Sequence, residues 1–210
     1  TTNQVNKVTT KAVLTQMIST IMQEMEKSAP LNISSNESSE SLQSELSVVS
    51  DVSESDGFKS ASQKDAYLIF RALCKLSMKG PQDEFDLLYS SRTDLETNHV
   101  AIQNKLLSLE LILHTLKNAG PCFRKGDKFT EVIRKYLCMS LLANCTSQVP
   151  RVTGLSLQIF VALTENFKDH LKTEFEIFFT SIFLKILESE NCSLDHKARV
   201  LEVFHTICKD

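Results

Sequence analysis

The residues here that could bind a metal or attack a substrate are five histidines and six cysteines. Cys192 and His196 stand four apart, the spacing of a zinc half-site on one helix face. No second pair is read as completing it, and His99, His114, His170 and His205 are taken as core or surface residues. Phosphate chemistry would need a glycine-rich cradle, yet glycine is scarce and only Gly120 and Gly126 stand near each other. No Walker, dinucleotide-binding, nucleophile-elbow or H-E-x-x-H pattern occurs. Glu174 with Glu176, or Asp65 with Glu84, offer paired carboxylates, but such pairs on helix faces read as solvated. Catalysis and cofactors are therefore not expected. The one basic cluster is Arg124, Lys125, Lys128, Arg134 and Lys135, interrupted by Asp127 and Glu131. It reads first as a mixed-charge solvated face and second as a membrane-headgroup patch.

Bulk properties agree with a protein that works by surfaces. The chain has 210 residues, 42% hydrophobic and 23% charged, with net charge −3. That is enough length to bury a core without metal or disulfide staples. The charge balance gives no footprint for nucleic acid. No apolar run approaches the roughly 20 residues that span a bilayer, and Thr1 to Thr10 lacks the apolar core of a signal peptide. Cys74, Cys122, Cys138, Cys145, Cys192 and Cys208 are scattered, mostly within apolar stretches, so buried free thiols in a cytoplasmic protein are expected. The sequons at Asn32, Asn36, Asn144 and Asn191 would then go unused.

Helices must position whatever surfaces the chain offers. Leu14, Ile18, Ile21 and Met25 recur at four, three and four residues, predicting an amphipathic helix within 1–28 that Val13, Met17 and Met22 broaden. Such a helix needs a docking partner. Residues 29–61 turn abruptly to serine, glutamate and aspartate and read as a disordered acidic linker. Within it Ser34 with Glu37, and Ser53 with Asp56, match an acidophilic-kinase pattern. Residues 62–210 then carry helix after helix. Ser62 is a candidate N-cap for a helix presenting Ala66, Ile69, Phe70, Leu73 and Leu76 inward, which stops at Gly80-Pro81. After a softer stretch to Asn98, Ile102 to Leu116 forms another stripe, followed by helices capped by Asp127, opened by Pro150, rich in phenylalanine from about Asp169, and started by Ser193 or Asp195. Leu73, Leu109, Leu113, Tyr136, Phe160, Phe175 and Phe178 are the expected core. The short loops, and a Phe-rich helix apolar nearly all round, predict an all-α armadillo- or HEAT-like solenoid.

Gln63-Lys64-Asp65-Ala66-Tyr67-Leu68-Ile69-Phe70-Arg71-Ala72-Leu73-Cys74-Lys75-Leu76-Ser77-Met78-Lys79 closely resembles the opening of the HUS region, the segment upstream of the catalytic domain, in large brefeldin-A-inhibited Arf guanine-nucleotide-exchange factors. Lys105 to Leu109, Asn118-Ala119-Gly120-Pro121, Lys135 to Cys138 and Asp195-His196-Lys197 continue the likeness. Lys11 to Met17 is similar to the last helix of the preceding DCB region, named for dimerisation and cyclophilin binding. The resemblance implies a regulatory and scaffolding region, without catalysis of its own, of a trans-Golgi exchange factor. Its partners would be the DCB and catalytic domains of the same protein, a second copy in a homodimer, Arf and Arf-like small GTPases, and the Golgi membrane, peripherally. The stripe Leu14, Ile18, Ile21 and Met25 and the basic cluster are the candidate contact residues. A generic helical-repeat adaptor for some other protein or peptide is the alternative.

Overall fold

The computed structural model describes the backbone of residues 2–28, 58–79 and 92–209, and the side chains of 8–28, 58–79 and 98–209. Up to residue 57, the linker expected over 29–61 lies outside the described residues, as do its candidate phosphorylation serines. The described residues form an all-α helical solenoid. In chain order the elements are α1 (Thr2–Lys27), α2 (Ala61–Met78), α3 (Arg92–Lys117), α4 (Pro121–Arg124), α5 (Asp127–Val132), a π-helical turn (Ile133–Leu137), α6 (Cys138–Asn144), α7 (Pro150–Phe167), α8 (Lys172–Phe178), a second π-helical turn (Phe179–Phe183), α9 (Leu184–Glu188) and α10 (Leu194–Ile207). α3 packs between α2 and α7, and α10 packs on α7 and α9. α1 lies across α2, α3 and α4.

Caps set several boundaries. Ser60 caps α2 in extended conformation, its hydroxyl accepting the Gln63 N–H at 3.1 Å, so the cap is Ser60 rather than Ser62. Ser193 does the same for α10 with His196 N–H, at 3.2 Å. Pro121 and Pro150 open α4 and α7, where a missing N–H costs nothing. Gly126, not Asp127, occupies the cap position of α5, and Asp127 instead places its charge in the positively polarised first turn. α3 begins at Arg92, inside the stretch expected to be soft.

Two aromatic clusters fill the core. Phe123 contacts Phe70 (5.0 Å between centroids), Phe129 (4.4 Å) and Phe167 (6.1 Å), tying α4 to α2, α5 and α7. Phe160 of α7 meets Phe175, Phe178, Phe179 and Phe183 at 4.9–5.8 Å, and Phe179 and Phe183 reach Phe204 of α10. The Phe-rich helix is therefore covered by α7 and α10, but Ile177 and Leu184 face outward, so it is not enclosed on every side.

The α2 face differs from its apolar pattern. Leu76 is exposed, and the buried stripe Ala66, Phe70, Leu73 and Cys74 ends instead on Ser77. A hydroxyl is accommodated there because Ser77 donates to the Cys74 carbonyl (2.7 Å) and bonds Ser140 Oγ (2.7 Å). Asn144 extends this buried network, donating to Ser77 O (3.0 Å) and Ser140 Oγ (2.9 Å) and accepting from Lys105 Nζ at 3.1 Å. Burial lowers the pKa of Lys105. With its amide enclosed and engaged, Asn144 cannot serve as a glycosylation acceptor in this fold.

Candidate interaction surfaces

The α1 stripe turns inward onto its own chain. Ile18 and Met25 are buried in the common core, and Leu14, Ile21 and Met22 pack against it. Val13 and Met17, expected to widen the stripe, are instead exposed with Val8, because the docked face is only as wide as the groove offered by α2, α3 and α4.

Polar contacts fix the register of α1. Lys11 pairs with Glu110 of α3 at 2.7 Å, and the same carboxylate takes Arg151 of α7 at 2.9 Å. Ser19 hydrogen-bonds His114 at 2.8 Å. At the far end the Glu26 carboxylate accepts the backbone N–H groups of Cys122 and Phe123, each at 2.9 Å. These are first-turn donors of α4, which has no side-chain cap of its own, so a carboxylate 96 and 97 residues distant in sequence supplies it.

Gly120 makes that approach feasible. A Cβ there would stand 2.3 Å from Glu26 Cδ. Gly120→Ala should therefore push Glu26 off both donors, at a cost of about 1–3 kcal/mol. Hydrogen exchange at the Cys122 and Phe123 amides should then speed up roughly five- to 150-fold. Unchanged protection would show that the carboxylate does not hold α1.

The basic cluster divides. Arg124, Lys125, Lys128, Arg134 and Lys135 are all exposed, but Arg134 turns toward α8, pairing with Glu174 at 3.2 Å and donating to the His170 carbonyl. Lys128 lies over the Phe58 ring, and Lys135 over Tyr136. Tyr136, an expected core residue, is half-buried: the first π-helical turn places it beside Arg71 of α2, whose guanidinium donates to its phenol at 3.4 Å. That hydrogen bond lowers the pKa of Tyr136 and raises that of Arg71.

Among the described residues no group of three metal-ligating side chains converges, at Cys192 and His196 or elsewhere. His196 instead donates to the Cys145 carbonyl at 2.9 Å. Cys74, Cys138 and Cys145 are buried free thiols, Cys122 and Cys192 are half-buried, and Cys208 is exposed. Burial pushes Cys138 and Cys145 up to about 12 and raises Cys74 too, so none of the three offers a thiolate nucleophile. Among the described residues no helix is long and apolar enough to cross a membrane.

Periodicity located the stripe and composition the cluster. The Glu26 carboxylate, the Ser77–Asn144–Lys105 network and the Arg71–Tyr136 pair escaped the sequence reading, because each joins residues far apart in the chain. The only local trace was a glycine before Pro121.

Comparison with known proteins places this architecture. Residues 62–210 match the HUS domain described as Mon2/Sec7/BIG1-like. The chain is 44% identical over 184 residues to brefeldin A-inhibited guanine nucleotide-exchange protein 1 of Homo sapiens, covering 86% of this chain and 9% of that protein. It is 38% identical over 149 residues to protein 2 of that name from Arabidopsis thaliana, covering 70% and 8%. Against the ADP-ribosylation factor guanine nucleotide-exchange factor sec71 of Schizosaccharomyces pombe it is 32% identical over 168 residues, covering 75% and 9%. The chain thus spans under a tenth of the length of these relatives. On this match the chain belongs to the Mon2/Sec7/BIG1-like HUS-domain family.

Proposed function

We propose that this chain is a regulatory and scaffolding region of an Arf guanine-nucleotide-exchange factor, acting through contact surfaces rather than catalysis. Residues 1–28 act as a DCB-like helix, joined through the acidic segment to the HUS domain. The contacts are intramolecular, toward the DCB and catalytic domains, and intermolecular, toward a second copy and Arf-family GTPases. The protein works in the cytoplasm and peripherally at the trans-Golgi network. The observation that carries this reading is the docking of α1: a helix outside the matched HUS residues is held by buried Ile18 and Met25 and by the Glu26 cap on α4. The apolar edge left on α1 by Val13 and Met17 supports self-association.

One preparation tests both kinds of partner. GTP-loaded Arf-family GTPases on resin should retain the chain, and GDP-loaded ones should not. Light scattering should show a dimer that Val13→Asp with Met17→Asp converts to monomer. Retention indifferent to nucleotide, together with a mass unmoved by the substitutions, would remove the reading.

A further inference from the structure

Positive charge gathers in the groove between α2 and the π-helical turn that faces it, and Tyr136 is the one partner described for it above. Tyr67, Arg71 and Lys75 recur every four residues on α2, about 6 Å apart along its axis, and so share one face. Around the Tyr136 ring stand Arg71 (guanidinium carbon at 5.5 Å), Lys75 (Nζ at 5.2 Å) and Lys135 (Nζ at 5.7 Å). Among the described residues no carboxylate pairs with these three cations. The Arg71 Nε–H is buried and has no acceptor among the described residues, although Nη2 of the same guanidinium reaches the Tyr136 phenol. Buried donors without acceptors are rare in folded proteins, and each calls for an explanation such as a water, an ion or a functional role.

The geometry points to an anion-recognition site at Arg71, Lys75, Lys135 and Tyr136 that takes the phosphate monoester of a phosphoserine on an acidic protein segment. A phosphate carries nearly two negative charges and three acceptor oxygens, against three cations, a free Nε–H and a phenol O–H. A single carboxylate would leave more of that charge unmatched. The cations gather around one ring, a compact charge that suits a single phosphate group better than a flat bilayer headgroup layer. Glu131, exposed one turn before Lys135, also opposes an anionic sheet. The chain encodes such a segment itself: Ser53, with Asp56 three residues on, lies shortly before Phe58. The Phe58 ring stacks on Tyr67 at 5.0 Å and lies under Lys128, at the head of the same groove.

The test uses the full chain and a synthetic peptide of residues 49–57 phosphorylated at Ser53, titrated calorimetrically in phosphate-free buffer. The phosphopeptide should bind at least tenfold more tightly than its unphosphorylated twin. Lys75→Glu with Lys135→Glu should abolish the difference; both positions are exposed, so the melting temperature should hold. Tyr136→Phe should weaken binding several-fold without moving the salt dependence, since it removes a donor and no charge. Equal binding of the two peptides, or charge reversal without effect, overturns the site. Inorganic phosphate binding as tightly as the phosphopeptide overturns the assignment to a protein segment. So do phosphatidylserine vesicles that bind through Lys75 and Lys135 while the phosphopeptide does not.

Discussion

Replacing Phe160 by alanine is expected to cost about 3–5 kcal/mol of stability, among the largest effects of a single truncation in the described residues. Phe160 is fully buried, and four other phenylalanine rings meet it within 5.8 Å. The substitution removes its transfer free energy and leaves a cavity between α7 and the Phe-rich helix that stiff rings refill poorly. The edge and tilted ring pairs that Phe160 makes are each worth about 0.5–1.5 kcal/mol and place the cost toward the upper end of about 3–5 kcal/mol. Urea unfolding measures it directly. A loss below about 1 kcal/mol would mean that the cluster is not packed as described.

Met25→Asp is the second large effect, and it acts on one element. Met25 is 1% exposed, at the point where α1 enters the core. A carboxylate there is buried without a partner and stands one residue from Glu26, whose own charge caps α4. The cost is about 3–5 kcal/mol. Releasing α1 relieves it while α2 to α10 keep their own core, including both aromatic clusters. Hydrogen exchange should therefore show residues 8–28 losing protection by a factor on the order of 100 or more. The amides of α7 and α8 should stay protected. Loss spread over the whole chain would make α1 an obligate part of the core; no loss anywhere would place it elsewhere.

The fold was largely legible because helical periodicity is a local signal. Ile18 and Met25, Leu109 and Leu113, and Phe175 and Phe178 fall on stripes that the structure buries. Errors arose where a tertiary partner decides. Leu76 and Ser77 compete for the same face of α2, and the hydroxyl wins because Ser140 and the Cys74 carbonyl satisfy it. Tyr136 continues an apolar pattern, yet a π-helical turn carries it toward Arg71. Nothing in a 3.6-residue repeat announces that extra residue. The contact surfaces were only half legible. The stripe on α1 was visible, whereas the Glu26 cap requires knowing that α4 begins beside it.

The central claim is that this region governs an exchange factor by contact and performs no exchange itself. Exchange requires an element that invades the nucleotide site and displaces Mg²⁺ and phosphates, and what the matched residues present is extended helical surface. Release of a mant-labelled nucleotide from an Arf GTPase, measured with this chain alone and then with the chain joined to a catalytic exchange domain, tests both halves. The chain alone should leave release at the intrinsic rate. The joined protein should differ from the catalytic domain by a coupling of about 1–3 kcal/mol, roughly five- to 150-fold. Met25→Asp should shift that factor if α1 docking is part of the coupling. Robust release by the chain alone, or a joined protein indistinguishable from the catalytic domain both in solution and on membranes, would contradict the account.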